Sequence, residues 1–217
     1  MAKVRPGRVS IIASMRATLM SYFLLGLIRV MTGSQARWYG CPPKAEQRIY
    51  FANHQSHADL VLIWAALPKD LRSITRPIAA RDYWTKTPFR QWITTAVFNA
   101  IYVTRERTAD QDPLEPLCAA LDNGDSIILF PEGTRGHAEE PAAFKAGLYN
   151  LAQKYPDVVL VPAWINNVQR VMPKGEVVPV PVLCSVTFGA PVSLAPGEER
   201  RAFLDRARSA VIALRDV

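Results

Sequence analysis

Acidic residues are missing from the first 45 positions of this 217-residue chain, although basic residues are common there. Seven of the 26 Lys and Arg residues lie in this segment, which leaves 19 basic residues to balance 19 acidic ones in residues 46–217. A nucleic-acid-binding domain carries its basic residues on its folded surface, so that class is disfavoured. We expect an N-terminal arm, residues 1–45, and one folded domain, residues 46–217. The basic residues of the arm are Lys3, Arg5, Arg8, Arg16, Arg29, Arg37 and Lys44.

Cysteine is scarce and unpaired in the sequence. The three cysteines, Cys41, Cys118 and Cys184, are far apart and none belongs to a C-x-x-C pair. This pattern suggests neither a disulfide framework nor a thiolate zinc site. None of them lies beside a histidine or a basic cluster that would activate a thiol. We therefore predict that all three are small apolar residues in a reducing compartment.

The arm also lacks an apolar run long enough to cross a bilayer. A spanning helix needs about 20 apolar residues, and Arg16 interrupts the apolar stretch from Val9 to Met31. Polar residues recur there at helical spacing, which predicts an amphipathic helix lying in the membrane interface, where basic residues attract anionic headgroups. The polar stripe consists of Ser10, Ser14, Thr18, Ser21, Arg29 and Thr32.

Two other interpretations of the arm remain open. A signal peptide would have the same basic start and apolar middle, with Ser34-Gln35-Ala36 as a cleavage site. A core helix of a soluble domain would also show an apolar stripe. The free cysteines and Arg16 disfavour export, and the acid-free flanks favour a membrane surface.

Short apolar runs alternate with helical patterns from Arg48 onward, which predicts an α/β fold. We expect a single domain with a mixed, largely parallel central sheet flanked by helices. The predicted strands are Ile49–Ala52, Ile101–Val103, Ser126–Phe130, Val158–Trp164 and Val182–Phe188. The predicted helices are Ala58–Ala66, a helix from Asp112 to Asn123, Phe144–Lys154 and Glu198–Leu214, and Pro173–Pro181 is a predicted loop.

The first candidate site directly follows the first predicted strand, where α/β sheets bind ligands. It contains two of the three histidines, His54 and His57, together with Asp59. An imidazole can remove a proton from a hydroxyl near neutral pH, and a carboxylate can orient it. Asp59 could instead serve a capping box that begins at Ser56. A metal site completed by His137 and a nucleophilic Ser56 are weaker alternatives.

The second candidate site, Phe130 to Gly136, follows another predicted strand. Glycines let backbone amides approach an anion, and the fork of Arg135 can hold a phosphate through two bonds. Arg105 and Lys145 could add positive charge. An ordinary Pro-Glu-Gly turn is the alternative. No Walker A sequence is present, so nucleotide binding has no support.

Four ordered segments together resemble the motifs of glycerolipid acyltransferases, above all the 1-acyl-glycerol-3-phosphate acyltransferase family. The first matches N-H-x-S-x-x-D and the third matches F-P-E-G-T-R. The second departs from the family, because Asn99 stands where that motif usually opens with glycine and Thr104 where an acid commonly precedes the arginine. The segments are Asn53–Asp59, Ile101–Arg105, Phe130–Arg135 and Val161–Pro162.

The resemblance implies transfer of a fatty acyl group from acyl-CoA or acyl carrier protein to a lysophosphatidate, without a further cofactor or metal. It implies His54 as general base, Asp59 as its partner and Pro162 in the wall of the acyl pocket. The implied phosphate site is Arg105, Glu132, Gly133, Thr134 and Arg135, to which Lys145 could add charge. His57 has no assigned role.

We expect the enzyme to be associated with a membrane, on the cytoplasmic face of the inner membrane if the protein is bacterial. Three alternatives remain. The first is a relative that acylates a lysophosphatidylcholine, an ornithine lipid or glycerol 3-phosphate. The second is a catalytically silent protein that binds anionic lipid, and the third is a metal-dependent hydrolase.

Overall fold

The computed structural model describes residues 8–32, 35–56, 58–104, 112–136, 138–166 and 184–217. Within these ranges, seven strands form one sheet in the order β1-β7-β6-β2-β5-β3-β4. The strands are β1 (Gln35–Trp38), β2 (Arg48–Ala52), β3 (Thr75–Ala80), β4 (Ile101–Val103), β5 (Ser126–Leu129), β6 (Val159–Asn166) and β7 (Ser185–Phe188).

Most of the sheet is parallel. The central strand β2 pairs in parallel with β5 and β6, and β3 pairs in parallel with β5 and β4. Only β7, antiparallel to β6, and β1, parallel to β7, run the other way among the described strands. All five residues of β2 are buried, as expected for a central strand covered on both faces. The predicted mixed, largely parallel α/β domain is confirmed.

Helices cover both faces of the sheet. They are α1 (Arg8–Thr32), α2 (Asp59–Ala66), α3 (Lys69–Ser73), α4 (Arg81–Trp84), α5 (Pro88–Trp92), a π-helical turn (Ile93–Val97), α6 (Glu115–Asp122), α7 (Gly147–Lys154) and α8 (Arg200–Ile212). Side chains alternate across β2, so Tyr50 and Ala52 join the core beneath α2, while Ile49 and Phe51 join the core beneath α6, α7 and α8. We call these the first and the second face.

Among the side chains of α1 that the structure describes, those of residues 15–27, Leu25 lies in the core and several large apolar side chains are exposed. Leu25 is buried in the first face, and α1 packs against the π-helical turn and α2. No helix in the described part of the chain is long and apolar enough to cross a membrane. The exposed apolar side chains are Met15, Leu19, Tyr22, Phe23 and Leu27.

Several elements differ from the sequence prediction. Strand β1 lies within the predicted arm, residues 1–45, yet pairs with β7, so part of the arm belongs to the sheet. Strand β3 was not predicted, because Pro77 lies in its middle and proline disfavours a strand assignment. The predicted loop Pro173–Pro181 lies outside the described residues. Asn99, in place of the family's glycine, has a φ of 48°, a conformation that asparagine tolerates better than most residues.

Candidate active site

The carboxyl end of β2 is fixed to the neighbouring strand β6 by Asn53. The buried Asn53 amide donates to the Ile165 carbonyl at 3.1 Å and its oxygen accepts from the Ile165 N–H at 2.8 Å. These two bonds satisfy polar groups that would otherwise be costly to bury. They hold the start of the loop that carries His54.

The loop after β2 turns around one carboxylate oxygen. Oδ2 of Asp59 lies 2.9 Å from Nδ1 of His54 and accepts the backbone N–H of Gln55 at 2.6 Å and of Ser56 at 2.8 Å. Asp59 is 1% exposed. The bond to Ser56 is the one expected of a capping box, but the Ser56 hydroxyl accepts from Ala58 and the helix begins at Asp59. One residue thus serves both predicted alternatives, helix start and histidine partner.

The His54 ring is held on both its edge and its face. Asp59 occupies the Nδ1 edge, and the ring stacks on Phe130 with centroids 4.2 Å apart and an interplanar angle of 16°. The side chain remains 16% exposed. A carboxylate beside Nδ1 favours the tautomer with its proton there. Nε2 is then the nitrogen with a free electron pair.

The loop after β5 binds directly to the loop after β2. Because these two strands are parallel neighbours, their carboxyl ends lie at one edge of the sheet. The backbone N–H of Gly136 donates to the His54 carbonyl at 2.8 Å. The loops that follow β2 and β5 therefore share one edge of the sheet, whereas β4, the strand before Arg105, is separated from β5 by β3.

Glu132 lies inside this edge rather than on it. It is 3% exposed, and its two carboxylate oxygens accept the backbone N–H groups of His54 and Ala142, both at 2.8 Å. A buried carboxylate with both oxygens engaged is a poor contact for a phosphate, which it would repel. In this structure Glu132 therefore joins the His54 loop to the chain at Ala142, and its contact with a phosphate stays a prediction.

The other residues of this loop that were predicted to bind phosphate are exposed. Gly133, Thr134 and Arg135 lie at the surface, as does Lys145. The backbone N–H of Lys145 donates to the Pro131 carbonyl at 2.9 Å. A Cβ on Gly133, where φ is +68°, would lie 2.6 Å from Nζ of Lys145. The absence of a side chain at Gly133 is what lets this ammonium approach the turn.

Three predicted residues are not brought to this edge by described contacts. Arg105, His57 and His137 lie outside the described residues, and the metal-site alternative depends on the two histidines. Thr104, beside Arg105, is exposed.

Pro162, expected in the acyl pocket, lies within β6 opposite Phe51. Alternation with Leu160 and Trp164 places Pro162 on the second face. Phe130, which stacks on the His54 ring, packs against the first face. Pro162 and Phe130 therefore lie on opposite faces of the sheet.

The two buried cysteines lie in the core, and Sγ of Cys41 also accepts a hydrogen bond from the Arg48 guanidinium at 3.4 Å. Burial raises the pKa of the Cys41 thiol, and burial followed by the negative charge of Asp59 raises that of Cys184 to about 11. All three cysteines are free, and Cys118 is half-buried. The position of Cys184 fits the prediction of a small apolar core residue, whereas Cys41 is in addition a polar partner of Arg48.

Two contributors to the site were missed by sequence reasoning, the bridging carboxylate of Glu132 and the ring of Phe130 beneath His54. Both lie within the F-P-E-G-T-R segment, whose composition predicts anion binding or an ordinary turn. The signal available was the apolar and acidic start of that segment, next to its exposed basic end.

The site geometry agrees with a family assignment from sequence. The model of the acyltransferase family matches residues 41–166, more than half of the chain and both candidate segments. The chain belongs to the acyltransferase family. The resemblance drawn from the motifs is thereby confirmed at the level of the family.

Named relatives of this acyltransferase chain carry one description. A human 1-acyl-sn-glycerol-3-phosphate acyltransferase alpha is 30% identical over 138 residues, which is 62% of this chain and 46% of the human protein. A coconut 1-acyl-sn-glycerol-3-phosphate acyltransferase is 31% identical over 132 residues, 58% of this chain and 42% of the relative. The chain spans less than half the length of these curated relatives.

A solved structure shares the fold of this acyltransferase chain. The crystal structure of a 1-acyl-sn-glycerophosphate acyltransferase from Thermotoga maritima superimposes with a TM-score of 0.66 at 21% identity, covering 95% of this chain and 87% of that one. At this identity the likeness establishes the fold.

Proposed function

We propose that the chain transfers a fatty acyl group from an acyl thioester to the free sn-2 hydroxyl of 1-acyl-glycerol-3-phosphate, giving phosphatidate. The observation that carries this proposal is the His54–Asp59 pair, 2.9 Å apart, at the sheet edge where the Phe130–Gly136 loop is bound. Membership of the acyltransferase family and the names of its relatives support it. The proposed donor is acyl-CoA or acylated acyl carrier protein.

His54 is proposed as the general base of a direct transfer. Nε2 takes the proton of the sn-2 hydroxyl while the oxygen attacks the thioester carbonyl carbon. The new C–O bond forms, the C–S bond breaks, and the proton leaves with the thiol. The carboxylate of Asp59 stabilises the imidazolium that exists between these two proton transfers. Proton transfer of this kind contributes about 10²- to 10⁴-fold in rate.

The exposed end of the F-P-E-G-T-R segment is proposed to hold the acceptor's phosphate. Arg135 offers a planar fork and Lys145 a point charge, and backbone amides around Gly133 can approach closely. Thr134 adds a hydroxyl and Arg105 a further cation. Because Gly136 is bonded to the His54 carbonyl, the chain next to Arg135 is anchored beside the base. A lysophosphatidate held there would present its hydroxyl near the imidazole.

The membrane is the proposed source of the acceptor. Helix α1 exposes several large apolar side chains, and the N-terminal 45 residues carry no acid. An apolar surface with basic flanks is attracted to anionic lipid. We assign α1 to contact with the bilayer surface.

A matrix of donors and acceptors tests the proposal. Purified protein is given acyl-CoA or acylated acyl carrier protein together with lysophosphatidate, a lysophosphatidylcholine, an ornithine lipid precursor or glycerol 3-phosphate, and products are separated by thin-layer chromatography. The proposal predicts phosphatidate formation with one thiol released per product. Preference for an acceptor without phosphate would contradict the phosphate site. Thiol release without an acylated lipid, abolished by chelator, would favour a metal-dependent hydrolase instead.

A further inference from the structure

The segment from Arg81 to Trp92 has no part in the proposed transfer, yet its composition is unusual. Four of its twelve residues are aromatic and three are basic, with Asp82 as its one acid. It forms α4 and α5 and leads into the π-helical turn that packs against α1. The aromatic residues are Tyr83, Trp84, Phe89 and Trp92, and the basic residues are Arg81, Lys86 and Arg90.

Helix α5 continues the exposed apolar surface of α1. Trp92 and the α1 side chains Leu19, Met20 and Phe23 line one open groove of about 590 Å³, with Arg16 at its border. Phe89 stacks on Trp92, with centroids 6.4 Å apart. The contact surface therefore runs from α1 across the groove to Phe89, although the two helices are far apart in sequence.

The apolar side chains of this surface are unusually exposed for their size. Leu19 is 66% exposed, Phe23 63% and Phe89 61%. Single exposed apolar residues are common, but neighbouring large ones mark a contact surface. Phe89 adds an exposed apolar side chain from α5, a second element, whereas a single amphipathic helix would carry all of its apolar surface on α1.

Basic residues accompany the apolar side chains on both elements of this surface. Arg16 and Lys86 are exposed, and the Arg90 guanidinium lies 4.7 Å from the centroid of the Tyr83 ring. Aromatic rings and basic side chains together are typical of the headgroup region of a bilayer. A second copy of this chain would bring like charges together, whereas an anionic leaflet complements them.

We propose that α5 and α1 form one docking surface for an anionic bilayer leaflet, with the Phe89 ring inserted among the lipid chains and Lys86 at the headgroups. This inference rests on the proposed function only for the contact of α1 with lipid. A contact on a second element restrains rotation about the axis of α1 more tightly than the apolar face of α1 does alone. The orientation of the domain on the membrane is then set by α1 and α5 together.

Vesicle sedimentation without any donor or acceptor tests this surface. Phe89→Ser should lower partitioning onto vesicles of phosphatidylcholine and phosphatidylglycerol by about 5-fold or more, because a large apolar contact is lost. Tyr39→Ser is the matched control, an exposed aromatic beside β1 that is 46% exposed, and it should partition as wild type does. Lys86→Gln should lower binding by about 5-fold on anionic vesicles and leave neutral vesicles unaffected, whereas Lys69→Gln should change neither.

Three outcomes would overturn the proposal. Equal partitioning of the Phe89 and Tyr39 variants would remove α5 from the membrane contact. An equal effect of Lys86→Gln on neutral and anionic vesicles would remove the headgroup contact. Self-association of the wild type without vesicles, lost in Phe89→Ser, would make the surface an interface between copies.

A water-soluble short-chain acceptor separates this proposal from the proposed function. Phe89→Ser should transfer acyl groups to it at the wild-type rate, with an unchanged melting temperature. If the wild type transfers no acyl group while vesicle binding still depends on Phe89, the proposed function fails and the docking surface stands.

Discussion

The carboxylate of Glu132 accepts a hydrogen bond from the backbone N–H of His54 at 2.8 Å, across two neighbouring strands. Its second oxygen accepts the N–H of Ala142 at the same distance. The acid of the Pro-Glu-Gly turn therefore ties three backbone segments together at the candidate base. In the proposed transfer, Glu132 acts through the position of His54.

Replacing Glu132 with Gln should lower both stability and turnover. A glutamine has one acceptor oxygen, so either the His54 or the Ala142 amide would face an NH₂ group and lose its bond. We expect the free energy of unfolding to fall by about 1–3 kcal/mol, measured by urea denaturation, and kcat to fall more than the acceptor's KM rises. Glu139→Gln, an exposed acid on the same loop, is the control. Wild-type stability and kcat in Glu132→Gln would contradict the bridging role.

Gly133 lies in the Phe130–Gly136 loop, and Gly124, outside that loop, is its matched control. Both have positive φ, +68° and +81°, but only a Cβ at Gly133 would meet another residue, Nζ of Lys145 at 2.6 Å. Alanine at either position should destabilise by about 1–2 kcal/mol through the backbone. Gly133→Ala should in addition displace the ammonium and raise the KM for lysophosphatidate. Equal KM values in the two variants would show that Lys145 takes no part in acceptor binding.

Arg135→Ala should chiefly weaken acceptor binding. Loss of a charge-assisted contact costs about 1.5–3 kcal/mol, which corresponds to a rise of roughly 10- to 150-fold in the acceptor's KM, with the donor's KM unchanged. Steady-state kinetics with the two substrates varied separately distinguishes these effects. Arg201→Ala removes an exposed arginine on α8 and should leave both constants as they are. An unaltered acceptor KM in Arg135→Ala would remove that guanidinium from the site.

The thiols should label in a fixed order. Thiolate is the reactive form, and the pKa of Cys41 is raised by burial while that of Cys184 is raised to about 11. At pH 8 both are protonated, so iodoacetamide should modify the half-buried Cys118 first and the other two after unfolding. Labelling of native Cys184 should rise as the pH approaches its raised pKa. Mass spectrometry of digests checks the order, and equal rates for Cys118 and Cys184 at pH 8 would contradict it.

The site was predictable from sequence where its signals are local. The apolar run of β2 followed by His54 and Asp59 places a base and its partner within one turn, and the structure pairs them. The role of Glu132 was not predictable in this way, because it depends on β5 lying next to β2 in register. Strand β3 was not predictable because it contains Pro77. Helix α5 was not predictable because so short a segment shows no helical period.

The proposed transfer depends on His54 as the base and on Asp59 as the carboxylate that orients it. The decisive measurement is the initial rate of phosphatidate formation from labelled acyl thioester and lysophosphatidate by His54→Ala and His57→Ala, with vesicle binding measured in parallel. The two variants each remove one imidazole from the same motif. We expect His54→Ala to lose at least about 10²-fold in rate with unchanged vesicle binding, and His57→Ala to keep most of its activity. Unchanged turnover in His54→Ala would contradict the mechanism.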